Sequence, residues 1–200
     1  MEEKKSLLMQ DKWGSNHGYE VMLDFQVSWL MRLAAEKDVK KKNLHKISKE
    51  VLLRLIEVKE DVGNVKIEKV DVWRQWERID VIAEVEVVVN GETQHHLVVI
   101  EDKAYTMIHD NQLDRYAEAV SAYYTGRRKK HYEIHYWVIT FHDEGTKYWE
   151  KLKEDCNNCK IEKWELLNMY DVIGWSKDRE NDFNNTESDL FEEFWIKEWY

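Results

Sequence analysis

Arg78-Ile79-Asp80-Val81, Asn90-Gly91 and Val98-Val99-Ile100-Glu101-Asp102-Lys103 are the segments on which the fold turns. Asn-Gly between two β-branched apolar runs is the strongest short-range signal for a hairpin, with a two-residue type I′ turn. A two-residue loop fixes the register, so residue 89 faces 92 and Asp80 faces Glu101. Side chains alternate along a strand, which puts Lys103 on the same side as Glu101 and sends the Asp102 side chain to the opposite face. Two carboxylates directly opposed across a ladder repel each other. A divalent cation with oxygen ligands would remove that repulsion.

Outward from the hairpin, the pattern predicts alternating helices and strands. Upstream, Val21, Phe25, Trp29 and Leu33 recur at helical spacing within a helix from Tyr19 to about Lys37. A second helix is expected from about Leu44 to Val58, broken by Gly63-Asn64. Val65 to Trp73 reads as a first strand, ahead of hairpin strands at 77–89 and 93–103. Downstream, Asp110 or Asn111 is placed to cap a helix that ends near Gly126. A strand is expected at His135 to Phe141, a helix from Glu144 to about Asp155, a strand at Lys160 to Trp164 and a helical turn at Asn168 to Ile173. Residues 1–17 read as a loose lead-in. The segment 187–200 carries Leu190, Phe191, Phe194, Trp195 and Trp199, spaced as one aromatic helix face that docks on its own domain. Strands mixed with helices predict a single domain of the α/β (α+β) type: a three-layer αβα sandwich with a central mixed sheet.

The bulk composition bounds the function. The chain has 200 residues, 43% of them hydrophobic, with ten Trp and ten Tyr, enough for a sizeable core in one domain. No run reaches the roughly 18 apolar residues of a membrane span, and Leu7-Leu8-Met9 is too short for a signal peptide, so a cytoplasmic location is expected. Cys156 and Cys159 form a CxxC with no second pair to complete a zinc site, and they are expected to be ordinary surface cysteines. The formal charge of −10 runs against tight duplex binding, which favours a basic footprint. Basic clusters nevertheless stand at Lys40-Lys41-Lys42 and Arg127-Arg128-Lys129-Lys130. A solvated charged surface accounts for each, with contact to nucleic acid as the alternative. His95 and His96 are expected opposite Glu86 and Val85 as strand residues, with metal binding as the alternative. Trp73 and Trp76 are read as core in preference to base-stacking groups.

Asp80, then Glu101-Asp102-Lys103, then Gln112-Leu113-Asp114-Arg115-Tyr116 resembles the PD-(D/E)XK nuclease superfamily. Its pattern is an acidic residue on one strand, (D/E)-x-K on the next, and Q-x-x-x-Y on the following helix. The R-x-D, I-E-x-K and Q-L-x-x-Y texture is similar to a bacterial branch of that superfamily, with Ile79 in place of the proline. The resemblance covers mainly 76–120, with weaker support from 133–173.

The resemblance implies a restriction-endonuclease-like fold and Mg²⁺-dependent (or Mn²⁺-dependent) hydrolysis of phosphodiesters, with DNA as the expected partner. Asp80, Glu101 and the main-chain carbonyl of Asp102 would hold the metal, and Asp24 or Glu20 on the first helix would supply a further acid. Lys103 would act on the attacking water or the phosphate charge. Gln112 and Tyr116, one helical turn apart, would orient it. Arg78, Arg127, Arg128, Lys129 and Lys130 are the candidate nucleic-acid contacts. A homodimer is compatible with this reading. The alternative is a catalytically inactive binding or assembly module on the same fold.

Overall fold

The computed structural model describes residues 6–9, 17–127 and 131–197. Five strands, β1 (Val65–Trp76), β2 (Ile79–Val89), β3 (Glu92–Lys103), β4 (Glu133–Thr140) and β5 (Glu165–Asn168), form one sheet in the order β1-β2-β3-β4-β5. β1, β2 and β3 are antiparallel neighbours, whereas β4 and β5 add in parallel. The sheet is therefore mixed. Parallel addition needs a crossover, and α3 (Gln112–Arg127) and α4 (Lys147–Asn157) supply them.

The hairpin has the register read from the sequence: Val89 pairs with Glu92 and Val81 with Ile100. Asn90 and Gly91 both have positive φ, 52° and 86°, as a type I′ turn requires. A second tight hairpin, joining β1 to β2, had no such signal. Trp76 pairs with Ile79 across Glu77 and Arg78, both non-glycine residues at positive φ. The β1–β2 ladder shifts register between Ile67 and Lys69, whereas the β2–β3 ladder runs unbroken.

Alternation of the strands divides the core between the two faces. Val81, Ala83, Val85, Val98 and Ile100 pack on α1 (His17–Ala35) and α2 (Lys42–Leu55). Ile82, Leu97 and Val99 pack on α3 through Leu113, Ala117 and Val120. Helices on both faces give the αβα sandwich of the restriction-endonuclease-like fold. The chain ends with α5 (Met169–Ile173), α6 (Glu180–Asn184) and α7 (Asp189–Trp195). Phe191, Phe194 and Trp195 of α7 enter the α1/α2 core, so the tail helix docks on its own chain, while Leu190 stays exposed. Residues 6–9, within the stretch expected to be loose, are held by α7: the amides of Leu7 and Leu8 donate to Glu193, and Met9 is buried.

Several expectations are corrected. The last strand is not Lys160–Trp164 but Glu165–Asn168; Trp164 precedes it as a buried anchor against Tyr136, with ring centroids 5.0 Å apart. The two cysteines differ: Cys156 is buried, contrary to expectation, and Cys159 is half-buried. Cys156 lies in the α3-side core, where burial pushes its thiol up to about 12, and Cys159 donates to Asp114 Oδ1 at 3.0 Å. Trp73 is exposed, whereas Trp76 packs edge-on against Tyr123 at 5.2 Å. No helix among the described residues is long and apolar enough to cross a membrane.

Candidate active site

The site lies where β2 begins and β3 ends. Asp80 is half-buried, and both its oxygens accept hydrogen bonds: Oδ1 from Gln75 Nε2 at 2.9 Å and Oδ2 from the Asp102 amide at 2.8 Å. Gln75 stands between the paired Arg74–Val81 and Trp76–Ile79 positions, opposite Asp80, with φ 57°. Three non-glycine residues with left-handed φ, Gln75, Glu77 and Arg78, thus cluster beside one carboxylate, a concentration of backbone strain typical of functional sites.

Glu101 and Lys103 project to the α3 face as alternation requires, and both are buried. The Lys103 ammonium bonds Glu101 Oε1, which also accepts from Gln112 Nε2 at 2.6 Å. The same Gln112 nitrogen contacts the Tyr116 hydroxyl at 2.9 Å, and Gln112 Oε1 accepts from the His109 amide at 3.2 Å. The glutamine is thereby locked in the first turn of α3. Glu101 Oε2 has no partner although it is buried, and the Asp80 carboxylate lies within hydrogen-bonding reach of Glu101. Asp80, Glu101, Lys103, Gln112 and Tyr116 therefore lie together: the hairpin register placed the first three, and the approach of Gln112 and Tyr116 is the one the resemblance implied.

Asp102 faces the other way, toward α1, and its carboxyl meets that of Asp24. Both Asp102 oxygens and Asp24 Oδ1 are buried without a donor. Glu20, one turn before Asp24, accepts from Thr106 Oγ1, and its charge reaches Lys103. The sequence offered Glu20 and Asp24 as alternatives; the fold places Asp24 beside Asp102 and Asp80, and Glu20 on the lysine side. Gln75 and the Asp24–Asp102 pair were not legible, because each depends on how β1 and α1 lie against the sheet. Arg78 is exposed at the β1–β2 turn. The side chain of Arg127, and Arg128, Lys129 and Lys130 entirely, lie outside the described residues.

The electrostatics record a shortage of positive charge. Burial, then the Asp80 charge, pushes the Glu101 carboxyl well above its ordinary value despite Lys103. Burial, then Asp24, does the same to Asp102, and burial raises Asp24 to about 6. Burial alone would lower the Lys103 ammonium, but the Glu101 charge and hydrogen bond, with Asp80, outweigh it and raise it. Asp24, Asp80, Glu101 and Asp102 outnumber the positive groups that act on them, Lys103 and Arg74, and the excess is neutralised by protons or by a cation. An unpaired, buried Glu101 oxygen beside Asp80 is an all-oxygen donor set of the kind that hard divalent ions take, so the residues fit a divalent metal.

No curated protein and no solved structure is significantly similar to the chain. The family model described as PD-(D/E)XK nuclease superfamily matches residues 7–200. Spanning nearly the whole chain, and in keeping with the mixed five-stranded sheet, this match means that the chain belongs to the PD-(D/E)XK nuclease superfamily.

Proposed function

We propose that this chain is a divalent-metal-dependent nuclease that hydrolyses phosphodiester bonds in DNA. The observation that supports this most is the convergence of Asp80, Glu101 and Lys103 around a buried carboxylate oxygen with no protein partner. Asp80, Glu101 and the main-chain carbonyl of Asp102 would hold Mg²⁺ or Mn²⁺, with Asp24 as a further acid behind them. A bound ion of this kind lowers the pKa of an attacking water and polarises the phosphate.

The protein's own groups do the rest. Lys103 has a raised pKa and keeps its proton, so its role is to donate to the water or to the phosphate oxygens, where charge develops. Gln112 fixes the Glu101 oxygen that Lys103 also contacts, and Tyr116 fixes Gln112. Arg78 at the β1–β2 turn, and Arg74, whose guanidinium lies 3.5 Å over the Phe25 ring centroid, offer positive charge to the substrate backbone.

The test is cleavage of plasmid and single-stranded DNA, with RNA in parallel, in Mg²⁺ or Mn²⁺. Cleavage should fall at least about a hundredfold in Asp80→Asn and in Lys103→Ala, within the range general acid–base groups contribute. Wild-type cleavage no greater than that of either variant would remove the nuclease reading and leave the inactive module. RNA cut in preference to DNA would overturn the substrate assignment alone.

A further inference from the structure

At the other end of β3, a second cluster lies outside the carboxylate site. His96, Glu133 and His135 each offer one atom, and these atoms all lie within 4.8 Å of one another. Ladder pairing puts them there: His96 pairs with Glu133, and Val98 with His135, across the parallel β3–β4 seam. His96 is five residues before Glu101, roughly 17 Å away along the strand.

The hydrogen bonds around the two imidazoles leave their inner nitrogens in conflict. His135 Nδ1 lies 3.0 Å from Glu57 Oε2, and His96 Nε2 lies 3.3 Å from Gln94 Oε1. Both partners are acceptors, so each outer nitrogen carries its ring's proton. His96 Nδ1 and His135 Nε2 are then left with lone pairs pointed at each other across 3.1 Å. A third acceptor, Glu133 Oε2, stands 3.6 Å from His96 Nδ1. The imidazoles are 2% and 4% exposed, too buried for water to dissipate that repulsion.

We propose that His96 Nδ1, His135 Nε2 and the Glu133 carboxylate form a binding site for a transition-metal ion of the Zn²⁺ class, which clamps β4 to β3. Two imidazoles and one carboxylate are a donor set such ions take, with water in the fourth position. Tetrahedral coordination at about 2.0–2.1 Å separates two ligand nitrogens by about 3.3 Å, close to the spacing found. Glu57 on the far nitrogen of His135 matches the carboxylate–histidine–metal arrangement that fixes the tautomer. Glu133 is largely exposed and able to close on an entering ion. Burial, and then His135, holds His96 down to about 4, so this ring is in its neutral, ligating form at neutral pH.

Two protonic arrangements compete. A doubly protonated His135 donates to both Glu57 and His96. Alternatively, a reversed Gln94 amide lets His96 Nε2 accept while His96 Nδ1 donates to His135. Neither leaves room for a metal. The discriminating experiment titrates the metal-stripped full chain with Co²⁺ and Zn²⁺, reading the visible d–d bands of tetrahedral Co²⁺ and the melting temperature. Beyond any ion taken by the carboxylate site, one equivalent should bind with tetrahedral Co²⁺ bands and raise the melting temperature. The bands should be lost in His135→Gln and Glu133→Gln, and affinity should fall about ten- to a hundredfold in Glu57→Gln. All should persist in Asp80→Asn, which separates this site from the nuclease reading. Should His135→Gln fail to fold, the exposed Glu133 and Glu57 substitutions still decide. No tetrahedral Co²⁺ spectrum, or one unaltered by both glutamate substitutions, overturns the proposal in favour of a proton-bridged pair.

Discussion

The Asp24 carboxyl, raised by burial to about 6 from an ordinary 3.8, makes the stability of this fold depend on pH with a defined sign. A raised carboxyl means that the folded chain binds more protons than the unfolded chain between those two values. Unfolding free energy therefore falls as pH rises through the window. Asp102, raised in the same direction, extends the effect upward. Glu193 acts oppositely, being held down to about 2 by Lys197, but its contribution is lost only at lower pH. Without divalent metal, the melting temperature should drop as pH rises from about 4 to 7. Asp24→Asn should flatten that slope, removing on the order of 3 kcal/mol of the total change across the window. Added Mg²⁺ should restore stability at pH 7 in the wild type, because a cation neutralises the same charges. Thermal melts across pH, with and without Mg²⁺, check this; a wild-type slope of opposite sign would show that Asp24 and Asp102 do not hold their protons in the folded state.

Among the elements, the two tight turns of the sheet differ in chemistry while sharing a shape. Asn90-Gly91 uses residues suited to positive φ, and a Cβ at Gly91 would meet no atom within 4 Å. Gly91→Ala should therefore destabilise through backbone strain alone, by about 1 kcal/mol. Glu77-Arg78 holds the same left-handed region with side chains that disfavour it. Glu77→Asn should stabilise by a few tenths to about 1 kcal/mol. Denaturant unfolding of the two variants should move the midpoint in opposite directions. The strained turn lies next to Asp80 and the relaxed one at the far end of β2, consistent with strain retained where geometry serves the carboxylates.

For the molecule as a whole, the sheet carries two cores, and the C-terminal helix completes one of them. Phe194 is 1% exposed and packs edge-on against Trp195, with ring centroids 4.9 Å apart. Phe194→Ala should cost about 3–5 kcal/mol, whereas Leu190→Ala on the exposed side of α7 should be nearly neutral. Calorimetric melts distinguish them; equal effects would mean that α7 does not contribute to the core through its aromatic face. Loss of α7 should also release residues 6–9, since Glu193 holds the amides of Leu7 and Leu8.

The sequence by itself determined what is local and periodic. The Asn-Gly turn fixed the β2–β3 register, alternation placed Glu101 and Lys103 together and Asp102 opposite, and helical spacing set Gln112 one turn from Tyr116. All of these are relations within a few residues or across one tight turn. Tertiary structure decided everything that joins distant elements. It brought Asp24 from α1 against Asp102, set Gln75 of β1 on Asp80, and laid His135 of β4 beside His96. It also buried Cys156 and moved the last strand beyond Trp164. Such pairings depend on how helices pack on a sheet and which strands become neighbours, and side-chain pattern alone carries no record of either.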